Sequence, residues 1–231
     1  MRKILVIQHA PAEGLGTLGN FFERMQIPAE IVRVYQGEKL PRSVRKLQGV
    51  VSLGGPMSAF EEKQYPFLAE ERLLLQKAVD GDLPVLGICL GAQMIAHACG
   101  GAVFRAPIPE RGWGTVDLTV KGRQDILFHG APTGIPVVQW HGDTFEIPYD
   151  GTLLATSRDC PNQAFRVNNA YGLQFHIEVD RAMMSTWFGE EREGEEWIRS
   201  FGEKEAFYRS TADLIYANFL DLLEICWVFG T

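Results

Sequence analysis

The chain has 231 residues, 46% of them hydrophobic and 11% aromatic, enough to bury one sizeable core, and we expect a single domain over residues 1–231. Acidic residues outnumber basic ones 29 to 22 and no stretch concentrates Lys or Arg, so no nucleic-acid partner is expected. The apolar run Ile4–Ile7 is too short for a signal peptide, and no segment approaches the roughly 18 apolar residues of a membrane span. We therefore expect a cytoplasmic protein without a membrane partner.

The first half of the chain alternates between strand and helix patterns. Short β-branched runs predict strands at Ile4–Ile7, Ile31–Val34, Val50–Leu53 and Val85–Ile88. Helical spacing of apolar residues occurs between them, at Leu15–Met25 and Phe67–Val79. This alternation is typical of an α/β fold, in which helices cover both faces of a mostly parallel sheet.

The second half of the chain has a different pattern, with short strands in place of alternating strands and helices. Short strand candidates divided by Pro, Gly, Asn and Asp lie at Gly112–Val120, Val137–Trp140, Leu153–Thr156, Gln163–Val167 and Tyr171–Phe175. A helical pattern returns from about Met183, and we expect a C-terminal helical segment, about 183–228, to pack on the core. Its apolar face comprises Phe207, Ile215, Phe219, Leu222 and Leu223. The acidic cluster Glu190, Glu191, Glu193, Glu195 and Glu196 is interpreted as a solvated surface, not as a metal site.

Cys89 lies where a predicted buried strand runs directly into a predicted helix. Gly87 and Gly91 flank it, as a sharp strand-to-helix turn requires, and this is the pattern of a nucleophile elbow with Cys in place of Ser. The helix beginning near Leu90 would direct its positive end at the sulfur and favour the thiolate. The other cysteines form no C-x-x-C pair, which argues against zinc and against a disulfide framework, and structural roles are predicted for Cys99, Cys160 and Cys226.

A cysteine nucleophile needs a base, a group that orients the base, and donors for the oxyanion. His176 and Glu178 are two positions apart in an extended segment, so both side chains can point the same way. The Gly54-Gly55-Pro56 turn follows another buried strand, at the sheet edge where Cys89 emerges. The N–H groups of Gly55 and Leu90 are the predicted oxyanion donors.

Four stretches together resemble the class I glutamine amidotransferases, in particular GMP synthase-type glutaminase domains and their stand-alone relatives. They are Gly54–Ser58, Pro84–Gln93, Trp140–Asp143 and Gly172–Glu178. The resemblance implies a flavodoxin-like fold, with additional short antiparallel strands in the second half. It also implies hydrolysis of the side-chain amide of glutamine through a γ-glutamyl thioester, with ammonia passed to an acceptor.

The resemblance also implies roles for individual residues, with no metal and no cofactor. Cys89 would be the nucleophile, His176 the acid and base, and Glu178 its orienting partner. Residues implied to bind the glutamine substrate are Gln93, Trp140, Gly142 and Asp143. His9, His97 and His129 match no catalytic position. One departure from the family pattern is Ile177, which stands where the family usually has Pro between His and Glu.

The acceptor of the ammonia is not identified by the sequence. Only about fifty residues follow Glu178, and neither a P-loop nor a Ser-Gly-Gly-x-Asp-Ser loop is present, so we expect any ATP-dependent synthetase to be a separate subunit. The alternatives are a stand-alone γ-glutamyl hydrolase or peptidase acting on γ-glutamyl compounds and a non-catalytic regulatory module. The segment Pro107–Trp113 either edges the active site or is a loop anchored by a half-buried Trp113.

Overall fold

The computed structural model describes the backbone of residues 3–229 and the side chains of residues 3–223, so Cys226 lies outside the described side chains. The strands are β1 (Lys3–Gln8), β2 (Ala29–Arg33), β3 (Leu47–Ser52), β4 (Val85–Ile88), β5 (Val103–Leu118), β6 (Gly134–Phe145), β7 (Thr152–Thr156), β8 (Ala164–Val167) and β9 (Ala170–Leu173). The helices are α1 (Gly16–Arg24), α2 (Phe67–Asp80), α3 (Leu90–Ala98), α4 (Val120–Gln124), α5 (Arg181–Phe188) and α6 (Gly194–Phe229).

The nine strands form one mixed sheet in the order β2-β1-β3-β4-β9-β8-β7-β5-β6. The pairs from β2 to β9 are parallel, whereas those from β9 to β6 are antiparallel. The α/β prediction, with a parallel core and antiparallel strands in the second half, is therefore confirmed. Because β1, β3, β4 and β9 run the same way, the segments that follow them meet at one edge of the sheet.

The parallel strands are apolar along their whole length because helices cover both of their faces. In β1, Ile4 and Val6 pack in one cluster with side chains of α1 and α6, while Leu5 and Ile7 pack in another with α2 and α3. All four side chains are fully buried. Burial of each such side chain contributes about 1.5–3 kcal/mol, so this strand is a strong anchor for the sheet.

The antiparallel half differs in length from its prediction. The sequence predicts short strands, but β5 has 16 residues and β6 has 12, and the two pair as a long ribbon. Their register shifts between Arg105 and Glu110, around Pro107 and Pro109, which have no N–H to donate. Proline thus interrupts this ladder without ending the strand.

The C-terminal segment forms two helices, α5 and α6, with a break between them. Ile215, Tyr216 and Phe219 of α6 are buried against the sheet. In the acidic cluster, Glu191 pairs with Arg111 and the other four carboxylates are exposed, which agrees with a solvated surface. Among the residues that the structure describes, no helix is both long and apolar enough to cross a membrane.

Candidate active site

Cys89 occupies a strained turn between β4 and α3. Its backbone angles are φ 52° and ψ −105°, a conformation that non-glycine residues rarely adopt. A Cβ atom added to Gly91 would lie 2.1 Å from the carbonyl oxygen of Ser52, and one added to Gly87 would lie 2.5 Å from Gly91. Both glycines are therefore required by close backbone packing. The geometry is that of the predicted elbow.

His176 and Glu178 follow β9 at the same edge of the sheet. His176 Nδ1 lies 2.7 Å from Glu178 Oε1, and both residues are buried. The backbone N–H of Ile177 donates to Glu178 Oε2 at 3.0 Å. The segment bends after Leu173 and is not a regular strand, so its own contacts hold the two side chains together instead of strand alternation.

Contacts from distant elements fix the position of His176. The backbone N–H of His176 donates to Val138 O at 2.9 Å, and its backbone carbonyl accepts from Val138 N at 3.2 Å. These two bonds join the residue to β6. Tyr208 of α6 donates its hydroxyl to the same carbonyl at 3.3 Å. The His176 ring meets the Trp187 ring edge to face at 4.9 Å. The imidazole therefore has little freedom to rotate.

The charge state of His176 is set by its neighbours. Burial lowers the pKa of His176, but the negative charges of Glu178 and Cys89, with hydrogen bonds to both, raise it well above its usual value. These neighbours therefore favour the imidazolium form of His176. Such a form can stabilise a thiolate and can later donate a proton to a leaving group.

A cavity of about 670 Å³ opens beside Cys89. It is lined by five other residues that the sequence predicts for the site: Gly55, Gln93, Trp140, Gly142 and Asp143. His176, Glu178 and the side chain of Leu90 are buried and are not part of the lining. The structure thus brings the predicted site residues to one edge of the sheet, and six of them, Cys89, Gly55, Gln93, Trp140, Gly142 and Asp143, to one cavity.

Of the two predicted oxyanion donors, Gly55 lines this cavity and Leu90 directly follows Cys89. A Cβ atom on Gly55 would lie 2.7 Å from Leu90 Cδ2, so the loop after β3 packs directly against the start of α3. The N–H of Gly91 donates to Leu53 O at 3.2 Å and ties the two segments together. Within residues 3–223, no acceptor is found for the N–H groups of Gly55 and Leu90. Both N–H groups are therefore unpaired among the described residues.

Asp143 and Gln93 form the polar end of the cavity. Gln93 Nε2 donates to Asp143 O at 3.2 Å and to Gln174 Oε1 at 3.4 Å. Asp143 Oδ2 accepts from the Ser58 hydroxyl. Its Oδ1 lies 3.1 Å from Arg105 Nη1, an ion pair without the directionality of a hydrogen bond, and the arginine side chain is 77% exposed. A buried carboxylate with such loose neutralisation can accept a cationic group of a ligand.

The cavity includes residues that the sequence analysis did not select. Glu13 lines it, and Glu13 Oε2 is buried without a hydrogen-bond partner among the described residues. Burial and the charge of Glu178 raise the pKa of Glu13 despite the nearby His176. The position of Glu13 after β1, at the carboxyl edge of the sheet, was the one feature of the sequence that could have indicated it. No sequence feature indicated Trp187, because its contact with His176 depends on how α5 packs.

The two alternatives for the segment Pro107–Trp113 each describe part of it. Pro109 and Arg111 line the cavity. Trp113 instead packs against Phe201 and Tyr208 and donates its indole N–H to Trp197 O at 3.0 Å. The segment therefore edges the site, while its tryptophan anchors it to α6.

Among the side chains that the structure describes, two groups have the residue types of a metal site. One comprises Glu110, His141 and Cys160. Both carboxylate oxygens of Glu110 already accept hydrogen bonds, from Ser157 and Gln163, and His141 Nε2 lies 2.9 Å from one of them, so this group is a satisfied polar network. The other consists of Glu13, His176 and Glu178 at the cavity. There His176 Nδ1 and both Glu178 oxygens are engaged with each other or with the backbone.

Comparison with known proteins places the chain among glutamine amidotransferases. The model of the family "Glutamine amidotransferase class-I" matches residues 17–186. A GMP synthase [glutamine-hydrolyzing] of Porphyromonas gingivalis is 35% identical over 149 residues, covering 63% of this chain. The chain spans only 28% of the length of that relative. The glutamine amidotransferase-like protein YfeJ of Salmonella typhimurium is 31% identical over 233 residues, 98% of this chain and 95% of the relative.

Solved structures agree with this relationship. A glutamine amidotransferase from Thermotoga maritima has a TM-score of 0.86 at 32% identity, covering 94% of this chain and 98% of its own. One from Methylobacillus flagellatus has a TM-score of 0.88 at 28% identity, covering 96% of this chain and 95% of its own. The similarity therefore extends over nearly the whole chain.

Proposed function

The chain belongs to the class I glutamine amidotransferase family, and from this premise we propose that it hydrolyses the side-chain amide of glutamine and supplies the ammonia to a synthetase in trans. The observation that supports the proposal most is the convergence on one cavity of Cys89, Gly55, Gln93 and Asp143. The hydrogen-bonded pair His176–Glu178 lies at the same edge of the sheet.

The first half of the reaction forms a thioester. The Cys89 thiolate attacks the amide carbon of glutamine, and the carbonyl oxygen becomes an oxyanion that accepts from the N–H groups of Gly55 and Leu90. Loss of one such donor costs roughly 10²–10³ in kcat in related chemistry. The His176 imidazolium donates its proton to the amide nitrogen, the C–N bond breaks, and ammonia leaves.

The second half regenerates the enzyme. Neutral His176 takes a proton from water, the resulting hydroxide attacks the thioester carbon, and the same two N–H groups stabilise the second oxyanion. The C–S bond breaks, glutamate leaves, and the Cys89 thiolate again faces an imidazolium. Glu178 orients the ring and stabilises its positive charge through both half-reactions.

Substrate recognition uses the polar end of the cavity. The buried Asp143 carboxylate is suited to the α-ammonium group of glutamine, and the side-chain oxygen of Gln93 can accept from the same group. Trp140 and Gly142 lie with Asp143 on β6 and line the cavity beside them. The tilted packing of Trp140 on Phe188, at 4.8 Å between ring centres, keeps this part of β6 in place.

A stand-alone γ-glutamyl hydrolase is the second candidate. A cavity of about 670 Å³ is far larger than glutamine needs and falls in the range of about 300–1,000 Å³ seen for sites of drug-sized ligands. This volume leaves room for the amino acid or peptide attached to a γ-glutamyl group. A non-catalytic module is the weakest candidate, because Cys89 stands on a strained turn and His176 is hydrogen-bonded to Glu178, features that a binding module does not need.

One experiment separates these candidates. The purified chain is incubated with glutamine and with γ-glutamyl dipeptides, alone and with cell lysate plus ATP, while ammonia and glutamate are measured; Cys89→Ala is the control. Glutamine hydrolysis that is slow alone and faster with lysate supports an amidotransferase subunit. Fast dipeptide cleavage without lysate supports the second candidate. Absence of turnover and of a thioester at Cys89 under every condition rejects both.

A further inference from the structure

A buried ion pair that the proposed reaction does not use lies next to the loop that follows β3. His9 Nε2 lies 2.7 Å from Glu71 Oε2, and the Ser52 hydroxyl donates to Glu71 Oε1 at 2.6 Å. The side chains of His9 and Glu71 have no exposed surface. Burying two charges costs free energy unless they are paired and hydrogen-bonded, so we asked which function this pair could serve.

The hydrogen bonds of His9 define which ring nitrogen faces the Gly54 carbonyl. Its Nδ1 lies 3.1 Å from Gly54 O, a carbonyl that can only accept. Glu71 accepts from Ser52 with one oxygen and faces His9 Nε2 with the other, as a carboxylate does. The Gly54 carbonyl therefore requires that Nδ1 of His9 carries a hydrogen and donates it. Although burial opposes the charge, the carboxylate of Glu71 and these hydrogen bonds raise the pKa of His9.

His9 contacts the peptide group that contains the proposed oxyanion donor. The carbonyl of Gly54 and the N–H of Gly55 belong to one planar trans peptide, so they point in opposite directions. His9 holds the carbonyl, which directs the N–H of Gly55 away from His9. Gly55 lines the cavity that contains Cys89, whereas His9 does not. A hydrogen bond that fixes the Gly54 carbonyl therefore also fixes the direction of the Gly55 N–H.

The loop has little room to adopt another position. A Cβ atom on Gly55 would lie 2.9 Å from His9 Cβ and 2.7 Å from Leu90 Cδ2. The peptide is therefore packed between His9 and the first residue of α3. The chain from Glu71 through His9 to the Gly54 carbonyl also polarises the peptide, because linked hydrogen bonds strengthen one another.

We infer that His9, held by Glu71, is a positioning residue that orients the Gly54–Gly55 peptide so that the Gly55 N–H stabilises the oxyanion. The inference rests on the proposed function, since it concerns the acylation and hydrolysis of Cys89. His9 lies outside the four stretches that resemble the family.

The test compares a reaction that forms an oxyanion with one that does not. Glutamine hydrolysis passes through an oxyanion, whereas alkylation of Cys89 by iodoacetamide is a direct displacement at carbon. For His9→Ala we expect kcat to fall roughly 10- to 100-fold with KM and alkylation rate within about threefold of wild type, because a misplaced donor weakens the transition state alone. His9→Asn, which puts an amide N–H near the position of Nδ1, should recover part of the loss.

Controls separate positioning from folding. His129→Ala removes an exposed histidine side chain and should leave both rates unchanged. Glu71→Gln keeps a partner for His9 without the charge and should lower kcat several-fold with unchanged alkylation, and it serves as the main variant if His9→Ala does not fold. A kcat within about threefold of wild type in folded His9→Ala, or a parallel loss of alkylation, overturns the inference.

A crystal structure of the variant makes the inference independent of turnover. If wild type hydrolyses neither glutamine nor a γ-glutamyl peptide, the proposed function fails, and the Gly54–Gly55 peptide is then compared between wild type and the folded variant. A rotated or disordered peptide in the variant supports positioning by His9. An unchanged peptide rejects it.

Discussion

The backbone N–H of Ile177 donates to Glu178 Oε2 at 3.0 Å, while Glu178 Oε1 meets His176 Nδ1 at 2.7 Å. Ile177 is the residue at which the chain departs from the usual His-Pro-Glu pattern. A proline there would have no N–H to donate. Having Ile177 in place of proline therefore adds a backbone hydrogen bond that restrains the Glu178 carboxylate.

Replacing Ile177 by proline should loosen Glu178. A hydrogen bond to a charged group contributes about 1.5–3 kcal/mol, so we expect Ile177→Pro to lower kcat for glutamine roughly tenfold through poorer orientation of His176. Ile177→Val keeps the N–H and nearly the same packing, and it should stay close to wild type. Steady-state ammonia release measures both variants. Equal activities would show that this hydrogen bond is dispensable.

Removing the charge of Glu178 should change the pH dependence of turnover. Burial lowers the pKa of His176, and the charge of Glu178 is the largest influence that raises it, so Glu178→Gln should lower that pKa. The imidazolium that donates to the leaving nitrogen is then lost at a lower pH. We expect the alkaline decline of kcat to move to lower pH, together with a fall in kcat on the order of 100-fold. A pH profile with an unmoved alkaline decline contradicts this account.

Gly91 should tolerate no side chain. A Cβ atom there would lie 2.1 Å from Ser52 O, so in Gly91→Ala the start of α3 must move away from β3. We expect a loss of about 3 kcal/mol or more in the free energy of unfolding, measured by urea denaturation, and slower alkylation of Cys89. Gly134→Ala is the matched control, because a Cβ atom there meets its nearest neighbours at an ordinary 3.5 Å. Similar stability of the two variants would refute the packing argument.

Asp143 should act on binding more than on chemistry. If its carboxylate holds the α-ammonium group, Asp143→Asn should raise KM for glutamine roughly 10- to 100-fold with a smaller change in kcat. Glutaramate, which lacks the α-amino group, provides the matched substrate. Wild type and variant should hydrolyse it with similar efficiency. If the variant loses as much kcat/KM on glutaramate as on glutamine, Asp143 does not bind the α-ammonium group.

Local features could be predicted well because they depend on neighbours in the chain. Cys89 lies between two close-packed glycines at a strand-to-helix junction, and His176 and Glu178 are separated by one residue, so each arrangement involves few free dihedral angles. The β-branched runs indicated the parallel strands because strands covered on both faces need continuous apolar sequence. The length of β5 was missed because proline interrupts a strand pattern even where the ribbon continues.

The sequence by itself determined the elements, the elbow and the types of group available for chemistry. Only the tertiary structure decided which remote side chains meet them: the pairing of His9 with Glu71, the contact of Trp187 with the His176 ring, and the entry of Glu13 into the cavity. Hydrophobic periodicity states which face of an element is buried but contains no information about strand order or register. Contacts across the edge of a sheet follow from that order, so they could be read only from the folded chain.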